Sequence, residues 1–178
     1  MRLGVIGMSL SVLNLVQAAA NSGYTIYVHN PFGNHLLTEI FASKEKIKLV
    51  NLDKAVSSEI IILFIPMENL ETIIKQFPDM SRKIIVHTGS PVFNSLFPNF
   101  ETSQNSATNK ISKLLPKSYV IKLYHEISAD SNKAAKVLNG KTKFFFSGEN
   151  LEARNKLKHL LEALNFSAID LSDSKDLM

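Results

Sequence analysis

Cysteine is absent from the 178 residues, which removes disulfides, thiolate nucleophiles and every cysteine-based metal site at once. No apolar run approaches the roughly 18 residues that a membrane-spanning helix needs. The longest, IIILFIPM at Ile60 to Met67, has the length of a buried strand with a proline behind it. The five histidines show neither ligand spacing nor an accompanying acidic cluster, so no metal centre is expected. A basic stripe interleaved with stacking aromatics is missing too. The net charge is +4, but twelve of the twenty Lys and Arg fall after residue 108, mostly at helical spacing among acids, which is the pattern of a solvated surface and not of a nucleic-acid-binding face. With 45% hydrophobic residues and a mean hydropathy of +0.04, the chain reads as one cytoplasmic globular domain over residues 1–178, long enough to bury its own core.

The stretch GVIGMSLSVLNLVQAAANSG, Gly4 to Gly23, has two incompatible readings. It has the make-up of a secretory signal, with Arg2 in front and Ala18-Ala19-Ala20 as a cleavage site. It also reads as a buried strand, a tight turn and a helix with Leu13, Val16 and Ala20 on its buried face, stopped before Gly23. The rest of the chain favours the second reading, because apolar strands and amphipathic helices alternate from end to end. YTIYVHN, IKLV, EIIILFIP, RKIIVHT, SYVIKLYH, TKFFFSG and FSAIDLS read as strands. HLLTEIFAS, NLDKAVSS, MENLETIIKQF, SATNKISKLLP, SADSNKAAKVLNG and ENLEARNKLKHLLEALN read as helices, the last with a buried stripe of Leu151, Leu157, Leu160, Leu161 and Leu164. NFETSQNSATN, Asn99 to Asn109, is a polar loop. Such alternation predicts an α/β fold with a doubly wound, mostly parallel sheet in three layers, and that sheet needs Gly4 to Gly23 as its first strand and helix.

A dinucleotide fingerprint asks for glycine at three positions, which here are Gly7, Ser9 and Val12. Gly7 keeps the tight turn out of the strand. Ser9 stands where backbone should approach the pyrophosphate, its hydroxyl able to bond a phosphate oxygen or to cap the helix, and Val12 adds bulk where helix and strand should be closest. The helix start still offers N–H groups and a positive dipole end to an anion, so Gly7, Met8, Ser9, Leu10 and Ser11 are the expected pyrophosphate seat. At the end of the second strand, His29, Asn30 and Pro31 include no carboxylate that would hold the ribose of NAD and repel the extra phosphate of NADP, which favours NADP. A plain turn set by Pro31 and Gly33 explains the same residues. Ligands of such sheets lie beyond the carboxyl ends of the strands, so Ile65, Pro66 and Met67 after the fourth strand, and Thr88, Gly89 and Ser90 after the fifth, mark the nicotinamide path. His87 and His125, at the ends of the fifth and sixth strands, are the candidate catalytic groups because imidazole titrates near neutrality.

The collinear order of RLGVIGMSLSVLNLVQAAANSGYTIYVHN, SSEIIILFIPMENLETIIKQF, KIIVHTGSP, KLLPKSYVIKLYHEISA and FFFSGENLEARNKLKHLLEALNFSAIDLSDSKDLM resembles the NADP-oxidoreductase domain of deazaflavin-dependent (factor 420) NADP reductases over essentially the whole chain. VIKLYHEISA at Val120 to Ala129 is similar to that family's VVKAFNTISA, and Ser90-Pro91 stands where the family has Asn-Pro. VHTGS at Val86 to Ser90 is also similar to the VVHTSG strand end of another small Rossmann-like group. The resemblance implies a Rossmann-like NAD(P)-binding domain that passes hydride between NADP(H), or NAD, and a flavin, deazaflavin or other small acceptor, with a homodimer left open. Two alternatives stand beside it: a non-catalytic Rossmann module that senses or scaffolds a nucleotide, and a dehydrogenase piece whose substrate domain lies elsewhere.

Overall fold

β1 (Arg2–Ile6) is buried at four of five positions and β4 (Ile60–Leu63) at all four, the burial of strands covered on both faces. The computed structural model describes residues 1–33, 35–88, 106–125 and 142–172. In chain order the described elements are β1, α1 (Leu10–Asn21), β2 (Thr25–His29), α2 (His35–Phe41), β3 (Ile47–Leu49), α3 (Leu52–Val56), β4, α4 (Leu70–Ile74), β5 (Ile84–Thr88), α5 (Ala107–Leu114), β6 (Tyr119–His125), β7 (Lys143–Gly148), α6 (Leu151–Ala163) and β8 (Ser167–Asp170). The strands form one sheet in the order β3-β2-β1-β4-β5-β6-β7-β8, the doubly wound Rossmann-like arrangement with its order reversing between β1 and β4.

Two apolar layers cover the sheet. Val12, Leu15, Val16 and Ala19 of α1, Leu37 and Phe41 of α2, and Ala153, Leu157, Leu160 and Leu161 of α6 pack with Val5, Val28, Ile62, Val86 and Phe146. Ala55 and Val56 of α3, Leu70, Ile73 and Ile74 of α4, and Ile111 of α5 pack with Ile6, Ile61, Leu63 and Ile85. The alternation of side chains along each strand divides these two sets. Gly4 permits the second layer to close: a Cβ there would stand 2.2 Å from the carbonyl oxygen of Ala55, so α3 could not lie against β1.

Two expectations change, and the mostly parallel pairing holds with one antiparallel step. The buried face of α1 is Val12, Leu15, Val16 and Ala19, while Leu13 and Ala20 are only partly buried; the helix is turned about its own axis from a face of Leu13, Val16 and Ala20. Leu151 is 55% exposed, since at 3.6 residues per turn it points about 120° away from Leu157, and Ala153 and Arg154 take its place in the buried stripe. β7 runs antiparallel to β6 and parallel to β8, so the sheet changes direction at its far side. The predicted helix SADSNKAAKVLNG and the loop residues 99–105 lie outside the described residues. Among the described residues no helix is long and apolar enough to cross a membrane.

Candidate functional site

Strand register aligns Ile6 with His29 on one side and with Leu63 on the other, then Leu63 with His87 and His87 with Lys122. This row lies just inside the carboxyl edge of the parallel strands. One step further out, Gly7 N–H donates to the carbonyl of His29 at 2.9 Å, and Phe64 N–H donates to the carbonyl of Ile6 at 2.8 Å. Gly7 has φ +79°, and a Cβ on it would stand 1.8 Å from the carbonyl oxygen of Phe64. Glycine is therefore required twice here, by its backbone angle and by the closeness of the β4 extension. The turn pinned in this way starts α1 at the carboxyl edge of the sheet, beside the point where strand order reverses.

Ser9 is the N-cap of α1, its backbone extended and its hydroxyl oxygen accepting from the Val12 N–H at 3.3 Å. Of the two roles open to this hydroxyl, capping is the one present. Leu10 and Ser11 are the first two residues of the helix, whose N–H groups have no acceptor within it. No acidic residue stands in the first turn, so the positive end of the helix dipole has no charge of its own to meet. Val12, at the third fingerprint position, is 1% exposed and part of the first apolar layer, while Met8 packs partly buried against that layer.

At the end of β2, His29 Nδ1 lies 3.2 Å from the carbonyl oxygen of Val50. The Asn30 side chain accepts from Phe32 N–H at 3.3 Å and donates to the Gly33 carbonyl, while Gly33 N–H returns to the Asn30 carbonyl at 3.2 Å. Gly33 takes φ +103°. The loop is thus an Asn-held turn across Pro31, with Phe32 57% exposed at its tip. Beyond β4, Ile65 packs against the second apolar layer, Pro66 is exposed and its carbonyl accepts from Asn69 N–H at 3.0 Å, and Met67 is 40% exposed.

Thr88 ends β5, and its Oγ1 is buried with no partner among the described residues. Gly89 and Ser90 lie outside the described residues. His87 is 5% exposed and by strand alternation faces the layer of α3, α4 and α5, as Ile85 does. His125 closes β6 opposite Phe144. The carboxyl edge of adjoining strands thus carries Gly7 after β1, His29 at the end of β2, Ile65 after β4 and Thr88 at the end of β5, with His87 one position inside the last.

Lys122 did not stand out in the sequence. It pairs directly with His87 on the same sheet face, its Nζ 4.9 Å from the centre of the Tyr124 ring. The available signal was a lysine within the apolar run YVIKLYH, where period-two alternation sets it beside buried neighbours. Along that face runs a groove of about 480 Å³ lined by Thr108, Ser112, Lys122, Tyr124, Ser147 and Asn150 among others. Among the described residues no group of three His, Asp or Glu is placed to hold a metal ion. At the opposite edge, before β5, burial pushes the Lys83 ammonium below its usual range while its Nζ donates to the Ser58 carbonyl at 3.0 Å.

No protein-family model matches the chain, and no curated protein matches it. Solved structures do. A hypothetical protein from Sinorhizobium meliloti superposes with a TM-score of 0.74 at 21% identity, over 97% of this chain and 85% of the other. A protein provisionally assigned as an F420-dependent NADP reductase, from Arthrobacter sp. FB24, gives 0.72 at 17% identity over 96% and 84%. An imine reductase from Aspergillus terreus, in complex with NADPH4 and dibenz[c,e]azepine, gives 0.68 at 13% identity over 97% of this chain but 55% of its own. At these identities the likeness establishes what is shared, which is the Rossmann-like fold.

Proposed function

We propose that this protein binds a dinucleotide, NADP(H) before NAD(H), and acts as a cytoplasmic one-domain oxidoreductase that passes hydride to a flavin-like or deazaflavin acceptor, with a homodimer as its assembly. The observation that carries the reading is the β1 to α1 junction. Gly7 holds the turn against Phe64 so that a 12-residue helix without a first-turn acid starts at the carboxyl edge where strand order reverses, the arrangement that favours a pyrophosphate. The residues present fit such a group. A Cβ at Gly7 would strike the Phe64 carbonyl and unseat the turn that presents the helix start, and the buried Thr88 Oγ1 further along the edge has a hydrogen bond to give or accept. The reductase assignments among the fold neighbours support the same class.

When bound, the nicotinamide supplies the hydride. The chain's own residues bind and orient: the Leu10 and Ser11 N–H groups hold phosphate, the Asn30 turn borders the adenosine end without a carboxylate, and Thr88 borders the nicotinamide end. Calorimetric titration with NADPH and NADH tests the reading. Saturable binding below about 1 mM, the upper range of working enzymes, with NADPH the tighter, is expected. Absence of saturable binding to either overturns it.

The burial of His87, 5% exposed, favours a second reading, a nucleotide-responsive module without turnover. NADPH oxidation with FMN as acceptor separates the two: turnover above the protein-free rate supports the oxidoreductase, and binding without turnover supports the module.

A further inference from the structure

The second apolar layer stops at β6: among the described residues it holds none from β7 or β8. The groove of about 480 Å³ lies where that layer ends. Strand alternation puts Val120, Lys122 and Tyr124 on this face of β6, and register sets Ser147 of β7 directly across from Lys122. Thr108 and Ser112, one turn apart, line the groove from α5, and Asn150 lines it from the start of α6.

Three observations mark it as a place for a polar ligand rather than a gap in packing. Thr108 Oγ1 is buried with no hydrogen-bond partner, a cost that native structures rarely leave unmet. The Ser147 and Tyr124 hydroxyls meet only at 3.4 Å, longer than the ~2.8 Å of a good O–H···O bond, so a ligand oxygen can take a shorter bond from Ser147. Lys122 adds a positive charge, its Nζ 4.9 Å from the centre of the Tyr124 ring. The volume falls within the roughly 300–1,000 Å³ of small-molecule pockets.

We propose that this groove binds a hydroxylated monocarboxylate, its carboxylate on Lys122 and its hydroxyls on Thr108, Ser112, Ser147 and Asn150. The bond from the ammonium is charge-assisted, and side-chain hydroxyls and amides both donate and accept, as a ligand hydroxyl requires. One lysine suits one negative charge, while Glu149, also lining the groove, opposes a second. The groove lies on the sheet face opposite α1, and the proposal is independent of the dinucleotide reading.

Glucuronate, glucose 6-phosphate and glucose share a ring of hydroxyls and differ in what they carry at one end. Titration of the isotope-labelled protein with each, followed by backbone amide shifts, tests the proposal. Glucuronate should bind saturably and shift Lys122, Tyr124 and Ser147, with glucose 6-phosphate weaker and glucose weaker by about tenfold or more. Lys122→Met keeps the apolar stem without the charge and should weaken glucuronate about tenfold or more. Lys158→Met, exposed on α6, should leave binding within about twofold. No saturable glucuronate binding, or saturation without shifts at Lys122 to Tyr124 and Ser147, overturns the proposal. So does glucose or glucose 6-phosphate binding as tightly as glucuronate, or unchanged binding in Lys122→Met. The shift map of the wild-type protein carries the test if Lys122→Met does not fold.

Discussion

The starts of α1 and α6 are built from similar parts and used in opposite ways. Both have a polar N-cap, with Ser9 accepting from Val12 N–H and Asn150 from Ala153 N–H at 2.9 Å. At α6 the side chains around the helix start bond to one another and to the neighbouring strands. Glu152 stands in the first turn against the dipole. Arg154, 7% exposed, donates from Nε to Asp170 at 2.8 Å and from a terminal nitrogen to the Gly148 carbonyl at 2.9 Å. Ser172 accepts from Gly148 N–H at 3.0 Å, and its own N–H donates to Asp170 at 2.9 Å. The result ties β7, α6 and β8 into one corner. At α1 there is no first-turn acid, and Ser9 caps the Val12 N–H. A polar network closed on itself holds the fold together, whereas a helix start without a first-turn acid at a pinned turn is where the proposed dinucleotide phosphate would lie.

The corner gives the largest expected effect. Arg154→Ala strands the Asp170 carboxylate, 12% exposed, and removes the bond to Gly148. Breaking a buried pair from one side costs about 3–5 kcal/mol, to be read by chemical denaturation. NADPH affinity of the folded variant should stay within about twofold, because sites without shared partners behave independently. A large loss of affinity would mean that the two helix starts are coupled and the comparison fails. Gly7→Ala comes next. It must relieve both the positive φ and the contact with Phe64, which is expected to cost about 2–4 kcal/mol and to abolish NADPH binding in the protein that remains folded. Retained binding would remove Gly7 from the site.

The central half of the sheet was legible because its signals were redundant. Ile60 to Leu63 is apolar at every position, as two-sided burial demands, and Gly7 marks the turn by itself. The other half was not. β7 buries alternate residues and β8 none fully, and alternation is the same for parallel and antiparallel pairing, so strand direction left no trace in residue type. Leu151 was misplaced because an apolar residue at the first position of a helix cannot be told from one on its stripe without knowing where the helix begins. In the candidate site, the Gly7 turn and the carboxylate-free end of β2 were readable as local structure. The sequence left Ser9 open between cap and phosphate ligand, and only the Val12 contact shows the cap. Lys122 escaped because its significance comes from pairing with His87 across two strands, which no local spacing records.

Backbone amide shifts of the isotope-labelled protein, followed during NADPH titration, test the contrast between the two helix starts most directly. Saturable shifts are expected at Gly7 to Ser11 and at Thr88, with Glu149 to Arg154 unmoved. Saturation without shifts at Gly7 to Ser11, or with the larger shifts at the α6 corner, would contradict it.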